Sequence, residues 1–229
     1  MNAILHYLGG VATAGGITKI ERLLIPGAVG PLEALLEWAP EAPRQMTALV
    51  CHPHPQFGGT MHNKVVFRAA KGALEAGLPT LRFNLRGVGK SRGKYDEGRG
   101  EREDVRAALD YLRARFTDLP IALLGFSFGA WVGLAAGAVD PRVAALVGLG
   151  VPVNHSDMSF LRDVRKPKLI VQATRDEFGP ADQIQAFFDS LLESKQIHWV
   201  QRVDHFFTGK LDEVQAAIRE FLRGIAIGA

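Results

Sequence analysis

Cysteine is nearly missing from this chain. Cys51 is the single one among 229 residues, which excludes an internal disulfide and fits a reducing compartment. Long apolar runs are missing too. No stretch approaches the roughly 20 apolar residues that a membrane-spanning helix needs, so no membrane partner is expected. The start, MNAILHYLGGVATAGG, holds an Ala12-Thr13-Ala14 triplet that resembles a cleavage site. It lacks a basic leader, however, and His6, Gly9 and Gly10 interrupt its apolar part. Residues 1–16 are expected to be a loose N-terminal extension of a cytoplasmic protein. An excess of charge of one sign is also lacking, since 27 Lys+Arg against 24 Asp+Glu leave a net +3. The basic RGVGKSRGK at 86–94 runs straight into the acidic YDEGRGERED. No basic patch forms, and nucleic acid is not an expected partner.

What is present is a globular composition, 47% hydrophobic and 22% charged, with no repeat, low-complexity stretch or linker. One domain spanning 1–229 is expected. ITKIERLLI, the turn PGAVGP and the alternation of Leu32, Ala34, Leu36 and Trp38 with Glu33 and Glu37 read as an antiparallel hairpin. Continuous apolar runs follow: TALVC (47–51), TLRFN (80–84), IALLGF (121–126), VAALVGLG (143–150), KLIVQA (168–173) and IHWVQRV (197–203). Such runs suit strands buried on both faces of a parallel sheet. Helical stripes separate most of them: Val66 to Leu74, Val105 to Phe116, Ile184 to Leu192 and Val214 to Leu222. The fold class is therefore α/β, a mostly parallel central sheet with helices on both faces and an antiparallel start. Chemistry on such sheets gathers at the carboxyl ends of the strands.

At one such end stands Gly125-Phe126-Ser127-Phe128-Gly129, between an apolar strand and a helix-like GAWVGLAAG. This is the G-x-S-x-G elbow in its proper context. A sharp turn lifts the Ser127 hydroxyl clear of the sheet, and the following helix turns its amide-rich end to the site. A serine hydroxyl needs a base, and in elbow proteins the chain order is Ser, acid, His. Of seven histidines only His155, His198 and His205 follow Ser127. His198 lies within an apolar run and His155 precedes any suitable acid, which leaves His205, just past the last strand. Asp176, three residues beyond KLIVQA, is the acid expected to orient it. Asp204 is the rival, but neighbours on an extended segment point apart.

CHPHPQFGGTMH packs three histidines and a cysteine into positions 51–62 and raises the question of zinc. Cys51 ends a buried run and reads as a core residue. His52 and His54 alone are two ligands, short of a closed site. No metal is expected. GVGKS at 87–91 imitates a phosphate loop, but Asn84 stands where the first glycine is required.

HPHPQFGGTMHNKVV, RFNLRGVGKSRG, GFSFGA, QATRDEF and VDHFF, in that order, resemble the α/β-hydrolases, and more narrowly the small lidless serine esterases related to dienelactone hydrolases. The resemblance covers nearly everything after residue 16. It places Ser127, Asp176 and His205 on the family's triad positions, although dienelactone hydrolases proper carry a cysteine at the position of Ser127. It implies an α/β-hydrolase fold and hydrolysis of small carboxylic esters without a cofactor. Thioester, amide or acyl-transfer chemistry is the alternative use of the same triad, and a non-catalytic binding protein the alternative use of the same fold. The loop after TALVC would then help build the oxyanion hole, beside the Phe128 amide. Pro53 and Pro55 have no N–H, which leaves His54, Gln56 and Phe57, and comparison with relatives reading His-Gly-x-Pro points to His54. The segment VPVNHSDMSFLRDVRKP (151–167) is too short for a helical lid. Phe57, Phe126, Phe128 and Met158 are the candidates to line a modest acyl pocket. The sequence leaves open whether the protein is a monomer or a homo-oligomer.

Overall fold

Apolar runs without polar alternation are stable as strands only when both faces of the sheet are covered, and the centre of this protein is built that way. The computed structural model describes residues 6–13, 16–41 and 45–225, with side chains for 18–41 and 45–225. Its strands are β1 (His6–Thr13), β2 (Gly16–Ile25), β3 (Leu32–Trp38), β4 (Thr47–Cys51), β5 (Thr80–Phe83), β6 (Ile121–Phe126), β7 (Val143–Leu149), β8 (Lys168–Ala173) and β9 (Lys195–Val200). The helices are α1 (Lys64–Glu75), α2 (Arg99–Arg115), α3 (Phe128–Val139), α4 (Ala181–Asp189) and α5 (Leu211–Gly224). The sheet order is β1-β2-β3-β5-β4-β6-β7-β8-β9. From β5 to β9 all pairings are parallel, while β1, β2 and β3 join antiparallel. Every residue of β4, β6 and β8 is buried.

Two apolar layers sandwich the sheet. One joins its first face to α2, α3 and α4 through Val105, Leu109, Leu134 and Ile184. The other joins its second face to α1 and α5 through Val66, Ala70, Val214 and Ile218. α1 starts where Asn63 Oδ1 accepts the Val65 N–H at 2.9 Å, a side-chain cap on an orphan donor. The chain runs from β4 out to β5, then returns past β4 to lay down β6. The direction therefore reverses beside the carboxyl ends of β4 and β6, the place where α/β sheets open a crevice. Between β7 and β8 the only regular element is a single 3-10 turn, Ser159–Leu161. Met158 and Leu161 are buried in the core rather than raised above the sheet. The fold is that of a lidless α/β-hydrolase.

Three expectations need correction. Residues 6–13 are not a loose extension: they pair with β2 as an edge strand with a bulge between Leu8 and Val11, which gives partners to a backbone edge otherwise left open. Residues 1–5 and 14–15 of that expected extension lie outside the described residues. The final strand spans Lys195–Val200 rather than 197–203, because Arg202 at φ +63° turns the chain and donates its N–H to Thr174 Oγ1. The helix expected to reach Leu192 ends at Asp189, though Leu191 still packs into the core. Among the described residues no helix is long and apolar enough to cross a membrane.

Candidate active site

Ser127 occupies the junction of β6 and α3 with no intervening loop, at φ +54° and ψ −120°. A non-glycine residue is strained there, by about 1–3 kcal/mol, and persists only where its surroundings fix it. The Ser127 N–H is held by the Leu149 carbonyl at 2.9 Å, and its own carbonyl accepts from Ala130 and Trp131 at 2.8 and 3.2 Å. The flanking glycines are required by close approach. A Cβ on Gly125 would collide with the Gly129 carbonyl, and one on Gly129 would lie 2.5 Å from the carbonyl oxygens of Cys51 and His52. The loop after β4 is thus pressed onto the elbow. Among the described residues the Ser127 hydroxyl and the Phe128 N–H have no hydrogen-bond partner.

Asp176 and His205 meet directly. Both are buried, and His205 Nδ1 donates to Asp176 Oδ2 at 2.7 Å. The carboxylate also accepts from Gln172 Nε2 on Oδ2 at 2.8 Å and from Phe178 N–H on Oδ1 at 2.9 Å. The His205 ring stacks on Phe126, the residue before Ser127, with centroids 4.9 Å apart and planes at 30°. It also packs so closely on Gly150 that a Cβ there would stand 2.9 Å from His205 Cε1. Nδ1 is committed to Asp176, and among the described residues Nε2 has no partner. Nε2 is not hydrogen-bonded to Ser127 Oγ, but the ring lies against Phe126, the residue before Ser127.

Asp204 has a different task from Asp176. Its Oδ1 accepts from the N–H groups of Phe206 and Thr208, both at 3.1 Å, and Oδ2 accepts from Thr208 Oγ1 at 2.9 Å. Burial alone would raise its pKa, but these bonds outweigh it and hold the carboxyl below the ordinary range. Asp204 shapes the loop that carries His205. His198 pairs with Glu213 at 3.2 Å, and His155 lies against the Phe178 ring at 5.1 Å.

The histidine-rich loop separates into unlike parts. His52 is buried, donates Nδ1–H to the Pro53 carbonyl at 2.6 Å and accepts the Leu85 N–H on Nε2 at 3.0 Å, so neither nitrogen is left for a metal. Burial pulls its pKa down to about 4, against the opposing Pro53 bond. Burial also pushes the Cys51 thiol far above its usual range. His54 accepts the Gln56 N–H on its ring at 3.2 Å, and its carbonyl takes the N–H groups of Phe57 at 3.1 Å and Gly59 at 3.0 Å. The Gln56 and Phe57 amides are therefore committed, while that of His54 has no partner among the described residues. Burial lowers the His54 pKa as well, with Glu101 opposing. Among the described residues no three His, Cys, Asp or Glu side chains converge as metal ligands. Of the residues expected to line an acyl pocket, Phe126, Phe128 and Met158 are core residues and only Phe57 is exposed.

Sequence reasoning passed over Gln172. It is fully buried in β8, donates to Asp176 Oδ2 and to the Gly179 carbonyl, and accepts the Val151 N–H at 2.8 Å. The trace was visible: an amide inside an apolar run must find partners.

A family model of the alpha/beta hydrolase fold matches residues 49–178, more than half of the chain, and the protein belongs to that family. A model of the PhoPQ-activated pathogenicity-related protein matches residues 154–229. An uncharacterized protein of Rickettsia prowazekii (strain Madrid E) is 39% identical over 191 residues, covering 79% of this chain and 80% of that one. Among solved structures, an alpha-beta serine hydrolase homologue from Coxiella burnetii is 40% identical with a TM-score of 0.82, covering 92% of this chain and 98% of its own. A Xanthomonas campestris protein, described as an a/b serine hydrolase without lid, is 33% identical with the same TM-score of 0.82 and 96% of each chain covered.

The burial of His52 sets a pH response. The released imidazole takes a proton near pH 6.5, whereas the folded one resists to about 4. In that window the unfolded chain binds more protons, so His52's contribution to stability is complete above pH 6.5 and lost as pH falls toward 4. By NMR the His52 ring should keep its Nδ1–H tautomer unchanged from pH 7 to about 5, and a titration midpoint near 6.5 would contradict its buried pairing.

Proposed function

We propose that this protein is a serine carboxylesterase of the dienelactone hydrolase-like branch, cleaving small-molecule esters in the cytoplasm through an acyl-enzyme. The observation that carries the reading is the 2.7 Å bond between His205 Nδ1 and the buried Asp176 carboxylate. It holds the imidazole in the one tautomer whose Nε2 can take a proton from Ser127. In this mechanism Ser127 Oγ attacks the ester carbonyl as its proton passes to His205. The new oxyanion lies between the Phe128 and His54 amides, and the commitment of the Gln56 and Phe57 amides favours His54 as the second donor. His205 then gives its proton to the departing alcohol. Water, deprotonated by His205, releases the acid and restores Ser127. Every step uses the chain's own groups, so no cofactor enters.

Ser127→Ala should remove measurable hydrolysis of p-nitrophenyl acetate while leaving the thermal transition in place. Asp176→Asn should lower kcat by roughly 10⁴-fold, because the amide favours the wrong imidazole tautomer. Asp204→Asn removes only part of a loop's hydrogen bonding and should cost under about tenfold. Equal losses at the two aspartates would mean that the acid is elsewhere.

The missing lid sets the chain-length preference. A long alkyl acyl group gains about 0.8 kcal/mol per methylene only when fully buried, and the short β7–β8 segment leaves no roof over the site. Activity on a p-nitrophenyl ester series should peak at short acyl chains, with no jump above the micelle concentration. A steady rise out to long chains would contradict the open site.

A further inference from the structure

Few large apolar side chains stand exposed among the described residues: Val29, Phe57, Phe67, Val139 and Phe206. Two of these five border the candidate catalytic groups. Phe57, 85% exposed, has its ring 4.7 Å from that of His54, and Phe206, 53% exposed, sits edge-on to His205 at 5.4 Å. Between them the contacts are continuous. Ser127 is flanked in sequence by Phe126, whose ring lies 4.9 Å from His205, and by Phe128, whose ring lies 4.8 Å from His54. A path of rings therefore leads away from the serine on each side and ends in a phenyl face open to water. Neither exposed ring is on a slack segment. The Phe206 N–H is held by Asp204 at 3.1 Å and the Phe57 N–H by the His54 carbonyl at 3.1 Å.

An ester whose carbonyl reaches Ser127 has two arms, and the chemistry allots each a side. The alcohol oxygen must accept a proton from His205, so the alcohol arm leaves across Phe206. With that side taken, the His54 and Phe57 side is left for the acyl arm in the esterase reading. An alkyl chain gains little from a single open wall, because its methylenes remain half in water. A flat ring gains from one wall, since stacked or edge-on aromatic pairs need only one face. We propose that Phe206 and Phe57 are specificity-determining residues that receive an aromatic ring on the alcohol arm and on the acyl arm respectively, making aryl-bearing esters the preferred substrates. This rests on the esterase reading above and deepens it.

Two ester pairs, matched in size and each corrected for the members' relative rates of alkaline hydrolysis, test the proposal. Benzyl acetate against cyclohexylmethyl acetate probes the alcohol arm, and methyl phenylacetate against methyl cyclohexylacetate probes the acyl arm. In wild type each aromatic member should be favoured in kcat/KM by roughly 3–10-fold. Phe206→Leu should bring the first ratio to about 1 and spare the second, and Phe57→Leu should do the reverse. Both side chains are exposed, and reading ratios cancels any general loss of activity. Wild-type ratios near 1, ratios untouched by the substitutions, or losses on the wrong arms would each overturn the proposal. Absence of hydrolysis of all four esters would instead remove the esterase reading, and the proposal with it.

Discussion

A carboxylate buried away from water is costly unless hydrogen bonds replace its hydration, and Asp176 is such a group. Its three donors come from three parts of the chain: Gln172 in β8, the Phe178 amide in the following turn, and His205 beyond β9. Each donor is itself tied elsewhere. Gln172 holds the Val151 and Gly179 backbones, and so joins the end of β7 to the turn after β8. The loop bearing His205 is shaped by Asp204, and its ring is fixed between Gly150 and Phe126. Satisfying one buried charge thereby orders the carboxyl ends of three adjacent strands.

A second constraint faces it across the site. The strained, positive-φ backbone of Ser127 is held by the strand beside it and by glycines that let the loop after β4 press against the elbow. That pressure sets the His54 and Phe128 amides on neighbouring segments with no acceptor of their own. Donors already in place would not have to reorganise as charge develops in the proposed reaction. In the proposed reaction the strained serine, the unpaired amides and the free Nε2 are complementary: each is incomplete until a carbonyl arrives.

Much of this was legible in the sequence. The six parallel strands were visible because burial on both faces leaves unbroken apolar runs, and Ser127 because its pentapeptide had a strand before it and a helix after it. Chain order pointed to His205 and Asp176 as partners, and the two do share a hydrogen bond. What the sequence concealed depended on partners far along the chain. Gln172 looked like one polar interruption until Val151, 21 residues away, and Asp176 supplied its bonds. The choice among the His54, Gln56 and Phe57 amides stayed open because it turns on which of them the loop uses internally. β1 escaped notice since His6–Thr13 has no clear alternation and gains its order only from the exposed edge of β2. The histidine cluster looked metal-like because nearness in sequence says nothing of direction. His52 turns inward to bond the backbone at Pro53 and Leu85, and His54 caps its own turn.

The central claim is that Ser127 is an activated nucleophile served by a fixed imidazole. Its most direct test is treatment of the folded protein with a fluorophosphonate, followed by intact mass measurement and peptide mapping. One adduct per chain, located on Ser127 and forming far more slowly in His205→Ala, is the predicted result. An adduct on another residue, or none under conditions that label other serine hydrolases, would contradict it.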